Sequence, residues 1–430
     1  MKPCTQRDLF PARQFTALFL LLISITLLSG CSQLPVSPDG GENPFTPPFV
    51  QAHSEEKGFW RHQVHYAFPE KYYRVSDARN QLWEIAITDS HALKSIPPET
   101  QTLVLIHGRG AHSGYFYQLT RSALKAGLRV VTVDLPGDAK SLPGNIANAI
   151  PLPLEDSRRL VHNVLAQQMN ILRATYLGHS LGAQWALGYA LKYPAQVEKL
   201  ILESPYGLEE YDMQVSINES ERLPLFDPLM KYDYEKWQQQ WSTLGYFDRE
   251  FRKDAEDIQL FNYFQKLNPQ TGKIEPSPVG YFTEQSIDSV FFTRVRTEII
   301  WSPADEFERY LRKSEWDIYA QGIEVLRNDP NSLPKQLENI QAPVMMAFGQ
   351  RDPFLPNTAF SGNQNLKEQV IKPAYIRLAS SGHLPKVVIY PDAGHIPHAD
   401  QPAAFARDVI RFIQFGDLES PQEDPLGYED

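Results

Sequence analysis

Ser180 lies at the centre of Gly178-His179-Ser180-Leu181-Gly182, after the apolar run Ala174-Thr175-Tyr176-Leu177 and before the helix-forming Ala183-Gln184-Trp185-Ala186-Leu187. A serine on a sharp strand-to-helix turn needs small residues two positions away on either side, and Gly178 and Gly182 provide them. Its hydroxyl is a weak nucleophile at neutral pH, so it needs a base, and histidine is the side chain whose ordinary pKa suits that task. Two later stretches supply the missing groups: Gly349-Gln350-Arg351-Asp352-Pro353-Phe354 and Pro391-Asp392-Ala393-Gly394-His395, each just past an apolar run. The chemistry these types can do together is attack by Ser180 on a carbonyl carbon, with His395 taking its proton and Asp352 orienting the imidazole. The oxyanion so formed needs N–H donors. The Gly-bracketed His107-Gly108-Arg109-Gly110 supplies one from Arg109, and the helix entry supplies the other from Leu181.

These residues must be placed by buried strands. Thr102-Leu103-Val104-Leu105-Ile106 leaves no polar face, as in a strand covered on both sides of a parallel sheet. Similar runs are Leu128 to Asp134, ending in Leu135-Pro136-Gly137, and Val197 to Glu203, ending in Ser204-Pro205. Alternation of such runs with helical patterns predicts an α/β class with a mostly parallel, doubly wound sheet and its crevice at the carboxyl ends of the strands. The stretch from Phe59 to Asp89 alternates apolar and polar residues and reads as antiparallel edge strands. A dinucleotide turn at Gly108 and Gly110 is disfavoured, because the third glycine would have to fall at Ser113 and stands at Gly114 instead.

In sequence order, His107-Gly108, Asp134-Leu135-Pro136-Gly137, Gly178 to Gly182, Gly349 to Asp352 and Gly394-His395 resemble the α/β-hydrolase superfamily from about Gln63 to Phe415, apart from the segment inserted after the run that ends at Glu203. The resemblance implies the α/β-hydrolase fold with a mainly helical cap insertion, and a Ser, Asp, His order for the reacting groups. It departs in one turn: Gly137-Asp138-Ala139-Lys140-Ser141 carries Ala139 where relatives often carry a second glycine.

Several residues compete for roles. Glu203 is the rival acid, since some members of that superfamily place their acid after the strand that follows the nucleophile's helix. His398, three residues past His395, is the rival base; Pro397 reads as the start of a helix, which makes His398 a residue shaping the mouth. His107 reads as a brace for the oxyanion loop. The Arg109 guanidinium either faces solvent or reaches a substrate carboxylate. The His62-x-x-His65 and His395-x-x-His398 pairs lack cysteine or acidic partners at ligand spacing, so no metal and no cofactor are expected.

The ends point to a compartment. Lys2, Arg7 and Arg13 precede an apolar stretch from Phe15 to Leu28, which is too short to span a membrane and is followed by small residues, as in a signal peptide over 1–30. Leu28-Ser29-Gly30-Cys31 resembles the lipobox of bacterial lipoproteins. That resemblance implies lipidation of Cys31 and anchoring in the bacterial envelope, with Ser32 pointing to the outer membrane facing the periplasm. Residues 31–58 read as a Pro-rich tether and 416–430 as an acidic disordered tail. Loss of 1–30, whose charged residues sum to +2, takes the net charge from −11 to −13, which argues against nucleic-acid partners.

Between the core parts 59–204 and 341–415 lies an insertion, 205–340, too long for a connection and rich in aromatic residues, including Trp237, Trp241 and Trp316. It reads as a mainly helical cap, with its aromatics taken as core rather than as ligand contacts. Water exclusion beneath a cap favours a small or medium apolar substrate. The leading expectation is a lipid-anchored serine hydrolase of carboxylic esters. The same trio serves peptidases, thioesterases, carbon–carbon hydrolases and perhydrolases, and a catalytically silent envelope lipoprotein is the reading from another class.

Overall fold

The computed structural model describes residues 61, 66, 68–92, 100–144, 151–216, 220–243, 265–267, 274–276 and 304–427. The expected signal peptide, Cys31, the tether and most of the aromatic run between 244 and 303 lie outside the described residues.

The main-sheet strands are β1 (Glu70–Ser76), β2 (Leu82–Asp89), β3 (Thr102–Ile106), β4 (Arg129–Val133), β5 (Leu142–Pro143), β6 (Ala174–His179) and β7 (Val197–Glu203). The insertion holds β8 (Gln214–Ser216), β9 (Arg222–Pro224), β10 (Gln265–Leu267) and β11 (Ile274–Pro276), and the chain returns to the sheet as β12 (Val344–Gly349) and β13 (Lys386–Tyr390). The sheet runs β1-β2-β4-β3-β6-β7-β12-β13, with β5 paired to β2. Strands from β4 to β13 along this path are parallel, whereas β1, β2 and β5 pair antiparallel at one edge. Both the parallel centre and the antiparallel edge strands agree with the sequence reading.

The helices of the core and insertion are α1 (Tyr117–Lys125), α2 (Leu154–His162), α3 (Leu181–Lys192), α4 (Tyr234–Thr243), α5 (Ala304–Gly322), α6 (Thr358–Ser361), α7 (Lys372–Ala379), α8 (Pro397–Asp400) and α9 (Pro402–Phe415). Side chains alternate across a strand, so each buried run serves two cores. Val104 and Ile106 of β3, Leu200 and Leu202 of β7, and Val344, Met346 and Phe348 of β12 join one cluster with α2 and α3. Leu103 and Leu105, Ile201, and Met345 and Ala347 join the other, with α1 and α9. This is the physical content of double winding: a strand apolar at every position is required wherever helices cover both faces.

Within 205–340 the described residues include α4 and α5, and also two short antiparallel ribbons, β8–β9 and β10–β11. A purely periodic reading passes over three-residue strands. Trp237, Trp241 and Trp316 are all buried, with Trp237 stacked on Trp241 at 5.0 Å and edge-on to Trp316 at 5.9 Å, and they continue the apolar cluster that holds α2 and α3, with Trp316 donating to the Leu152 carbonyl. The insertion is fastened to the core by ions. Arg158 of α2 makes a bidentate pair with Glu324 (2.6 and 2.8 Å) and donates to the Trp185 and Gln184 carbonyls. Lys313 of α5 reaches Asp138 at 3.0 Å and Asp317 at 2.5 Å, while Arg309 donates to the Gly137 carbonyl.

The tail corrects the sequence reading. Instead of disorder from 416, Gly416 ends α9 at φ +73, Leu418 is buried, and Glu419 and Ser420 donate backbone N–H groups to Asp408. Glu423 then donates to the Val387 carbonyl. Acidic composition concealed a segment held by backbone hydrogen bonds, which composition does not report.

Candidate active site

Ser180, Leu181, Arg109, Asp352 and His395 sit at the carboxyl edge of the parallel strands, because each follows β3, β6, β12 or β13. Ser180 closes β6 and opens α3 at φ +57, ψ −119, a left-handed backbone unusual for a residue with a Cβ. The flanking glycines are dictated by space. A Cβ on Gly178 would stand 2.1 Å from the Gly182 carbonyl oxygen, and one on Gly182 would stand 2.3 Å from that of Ile106.

The structure brings Ser180, His395 and Asp352 together. His395 Nε2 lies 2.9 Å from Ser180 Oγ, and His395 Nδ1 lies 2.8 Å from Asp352 Oδ2. A carboxylate accepts, so Nδ1 carries the ring proton and Nε2 presents its lone pair to the serine hydroxyl. Asp352 is fixed by its own loop: Oδ1 accepts from the N–H groups of Phe354 (2.8 Å) and Leu355 (3.2 Å). Its side chain is 1% exposed and that of His395 7%. Phe354 and Tyr206 meet the imidazole edge-on.

Glu203 does not approach this trio as a partner. It accepts from the backbone N–H and the Nδ1–H of His398 (2.7 and 2.8 Å), forming a second, fully buried carboxylate–imidazole pair. His398 lies on α8, which begins at Pro397 as the sequence suggested, and its ring packs on Tyr115 and Phe116. His107 is a brace: its Nε2 accepts from the Leu135 N–H, so its Nδ1 donates to the Gly108 carbonyl. Burial lowers its pKa, which suits a neutral ring in that position.

The loop after β3 passes directly beside the serine. A Cβ on Gly108 would lie 2.9 Å from His179 Nδ1 and 3.1 Å from Ser180 Cβ. Arg109, next in the chain, is half-buried, and its charge bears on Asp317 of α5. Leu181 is the first residue of α3, where the N–H groups have no partner within the helix.

Three supporting residues were given no role from the sequence. Tyr115 Oη accepts from the Gly108 N–H at 2.9 Å and donates to His179 Nδ1 at 2.8 Å, while His179 Nε2–H donates to the His395 carbonyl at 2.7 Å. The direction follows because that carbonyl can only accept. Burial, with the charges of His395 and His398, holds His179 well below the usual histidine pKa, and burial holds the Tyr115 phenol protonated. One chain of hydrogen bonds thus ties the Gly108 loop to the loop of His395 through the residue before Ser180. Asp134 is the third: it accepts from Ser113 N–H, Tyr66 Oη and Lys140 N–H, which sets the Asp134 to Ser141 turn. In that turn Ala139 adopts φ +42, so the left-handed backbone persists where glycine would be easier. Among the described residues, no group of three or more His, Cys, Asp or Glu side chains converges as metal ligands.

The alpha/beta hydrolase fold family matches residues 101–402. The pimeloyl-acyl-carrier-protein methyl ester esterase of Nitrosospira multiformis is 31% identical over 321 residues, 74% of this chain and 95% of that protein. A 2-hydroxy-6-oxononadienedioate/2-hydroxy-6-oxononatrienedioate hydrolase of Comamonas testosteroni is 32% identical over 117 residues, which is 26% of this chain but 38% of that protein. The crystal structure of a "probable hydrolytic enzyme" from Pseudomonas aeruginosa shares the fold, with a TM-score of 0.56 at 20% identity over 85% of this chain and all of that one. The layered sheet, the strand-to-helix turn at Ser180 and the extent of the family match agree, and this chain belongs to the alpha/beta hydrolase fold family.

Proposed function

We propose that the protein is a serine hydrolase that cleaves carboxylic esters of small or medium apolar substrates through an acyl-enzyme, anchored by lipid on Cys31 in the bacterial outer membrane and facing the periplasm. The observation that carries the reading is the continuous Ser180, His395, Asp352 hydrogen-bond chain, with the ring proton on the Asp352 side. Ser180 Oγ attacks the carbonyl carbon as its proton passes to His395 Nε2, and the oxyanion accepts from the N–H groups of Arg109 and Leu181. Collapse breaks the bond to the alkoxide, which leaves with that proton. Water, deprotonated in turn by His395, then attacks the acyl group and releases the acid. The imidazolium formed in each half is stabilised by Asp352.

A second reading, the same trio acting on a carbon–carbon bond, draws on the Comamonas relative. The ester reading is preferred because the esterase relative aligns over nearly its whole length. The test is labelling of the purified protein by a fluorophosphonate, with the adduct located by mass spectrometry. The expected adduct is on Ser180, absent in Ser180→Ala and slowed on the order of 10⁴-fold in Asp352→Asn. A folded wild type that remains unlabelled overturns the reading. A panel of 4-nitrophenyl esters against a vinylogous diketone then separates ester from carbon–carbon cleavage.

A further inference from the structure

We propose that Glu209, at the entrance to the insertion, is a positioning residue for Asp352, a role that rests on the reading of Ser180, His395 and Asp352 as the reacting trio. Glu209 follows the end of β7 by a short turn in which Gly207 adopts φ +95, and it is 4% exposed. Its carboxylate receives the Asn357 N–H (3.0 Å to one oxygen, 3.2 Å to the other), the Ser361 hydroxyl (2.7 Å) and the Asn363 side-chain amide (3.1 Å).

All three donors belong to the stretch that follows the acid. The loop leaves β12 and is fastened at its start by Arg351 N–H to the Ala393 carbonyl and Asp352 N–H to the Gly349 carbonyl. It next turns its Phe354 and Leu355 N–H groups onto Asp352 Oδ1, and at Asn357 it meets Glu209. The N–H pair that orients Asp352 is therefore suspended between two fixed points, and Glu209 is the far one. Because those two bonds set the rotation of the carboxylate, they also set the direction in which Oδ2 meets His395 Nδ1–H. A buried carboxylate with three donors is a stiff tie, since each bond is charge-assisted.

The segment has other fastenings that let a variant at 209 fold. Asp212 N–H donates to the Phe360 carbonyl, Arg327 to the Ser361 carbonyl, and Phe360 packs on Tyr211 and Phe226. Glu209→Gln removes the charge, and because Ser361, Asn363 and Asn357 all reach Oε1, its NH2 must replace Oε2, where it faces the Asn357 N–H as donor against donor. Ser361→Ala keeps the charge and removes one donor, which separates geometry from electrostatics.

The experiment uses the full protein with 4-nitrophenyl butyrate and a fluorophosphonate, together with the downfield proton signal of the His395 to Asp352 hydrogen bond. For Glu209→Gln, kcat should fall roughly ten- to hundredfold with KM little changed. The acidic limb of the kcat/KM profile should move to lower pH, because a misaligned Asp352 stabilises the imidazolium less. The downfield signal should broaden or shift. Ser361→Ala should move all three readouts in the same direction by less, and it decides the matter if Glu209→Gln does not fold. Folded variants with wild-type kcat, pH limb and downfield signal overturn the proposal while leaving the hydrolase reading intact. A wild type inert at Ser180 overturns the hydrolase reading instead, and the proton signal alone then decides whether Glu209 aligns Asp352.

Discussion

Tyr115→Phe removes one oxygen from the centre of the hydrogen-bond chain between the two loops that flank Ser180. In the wild type that oxygen receives the Gly108 N–H and donates to His179 Nδ1, and all three residues are buried. The phenylalanine strands both partners. A neutral buried group left without its bond costs about 1–3 kcal/mol, so two together give an expected loss of about 2–6 kcal/mol. Tyr176→Phe is the control: its hydroxyl is equally buried, but Tyr189 Oη, the group it contacts, still donates to Gln196 at 2.7 Å. That change strands nothing, and its cost should stay near 1 kcal/mol. Urea unfolding measures both, with the slope unchanged and the midpoint lowered. Turnover of 4-nitrophenyl butyrate should also fall in Tyr115→Phe. The loop carrying the Arg109 N–H loses its tether, and the fall is bounded by the roughly 10²–10³-fold cost of losing one oxyanion donor outright. Equal stabilities for the two variants would refute the reading that the Tyr115 oxygen satisfies both buried groups.

Two further expectations concern the fasteners of the fold. Lys313→Met leaves Asp138 and Asp317 buried without their shared cation, at a cost of about 3–5 kcal/mol near pH 8. Burial already raises Asp138 and lifts Asp317 to about 6, above their unfolded values, so the unfolded chain loses these protons first and stability falls as pH rises through that interval. The Lys313→Met deficit should therefore be smaller at pH 5 than at pH 8 by thermal melts, and an equal deficit would count against the cluster. Gly178→Ala should cost more than about 3 kcal/mol, because backbone atoms stand 2.1 and 2.6 Å from the added carbon. Gly127→Ala, at φ +84 with nothing within 4 Å, should cost only the left-handed strain of about 1–2 kcal/mol. Circular dichroism melts of the pair test whether the glycines are there for space or for backbone angle.

The centre of the sheet was legible because runs such as Leu103 to Ile106 and Val344 to Phe348 are apolar at every position, which only burial on both faces demands. The residues proposed to react were legible because each lies in the loop that follows a strand of the parallel sheet, so chain order alone carried them to one edge. The insertion was legible only as a length with aromatic residues. Its attachment depends on Arg158, Lys313 and Glu324, charged residues that look like surface positions until the partner arrives from far along the chain. The tail misled for the same reason: Asp408, the acceptor that orders Glu419 and Ser420, is an unremarked acid on α9.

The choice between Asp352 and Glu203 shows where sequence reasoning stops. Both acids end or follow a buried strand, both stand near a histidine of the same short stretch, and both could orient an imidazole. What separates them is that His395 lies in the loop before α8 while His398 lies within it, so the chain turns the two rings apart. His398 is thereby directed to Glu203 with its Nδ1 and its own backbone N–H, and packs against Tyr115 and Phe116. His395 is left between Ser180 and Asp352, with its carbonyl held by His179. The buried Glu203 to His398 pair thus fixes the start of α8 from behind. The residue three positions upstream can then face the serine without Glu203 entering the reacting chain.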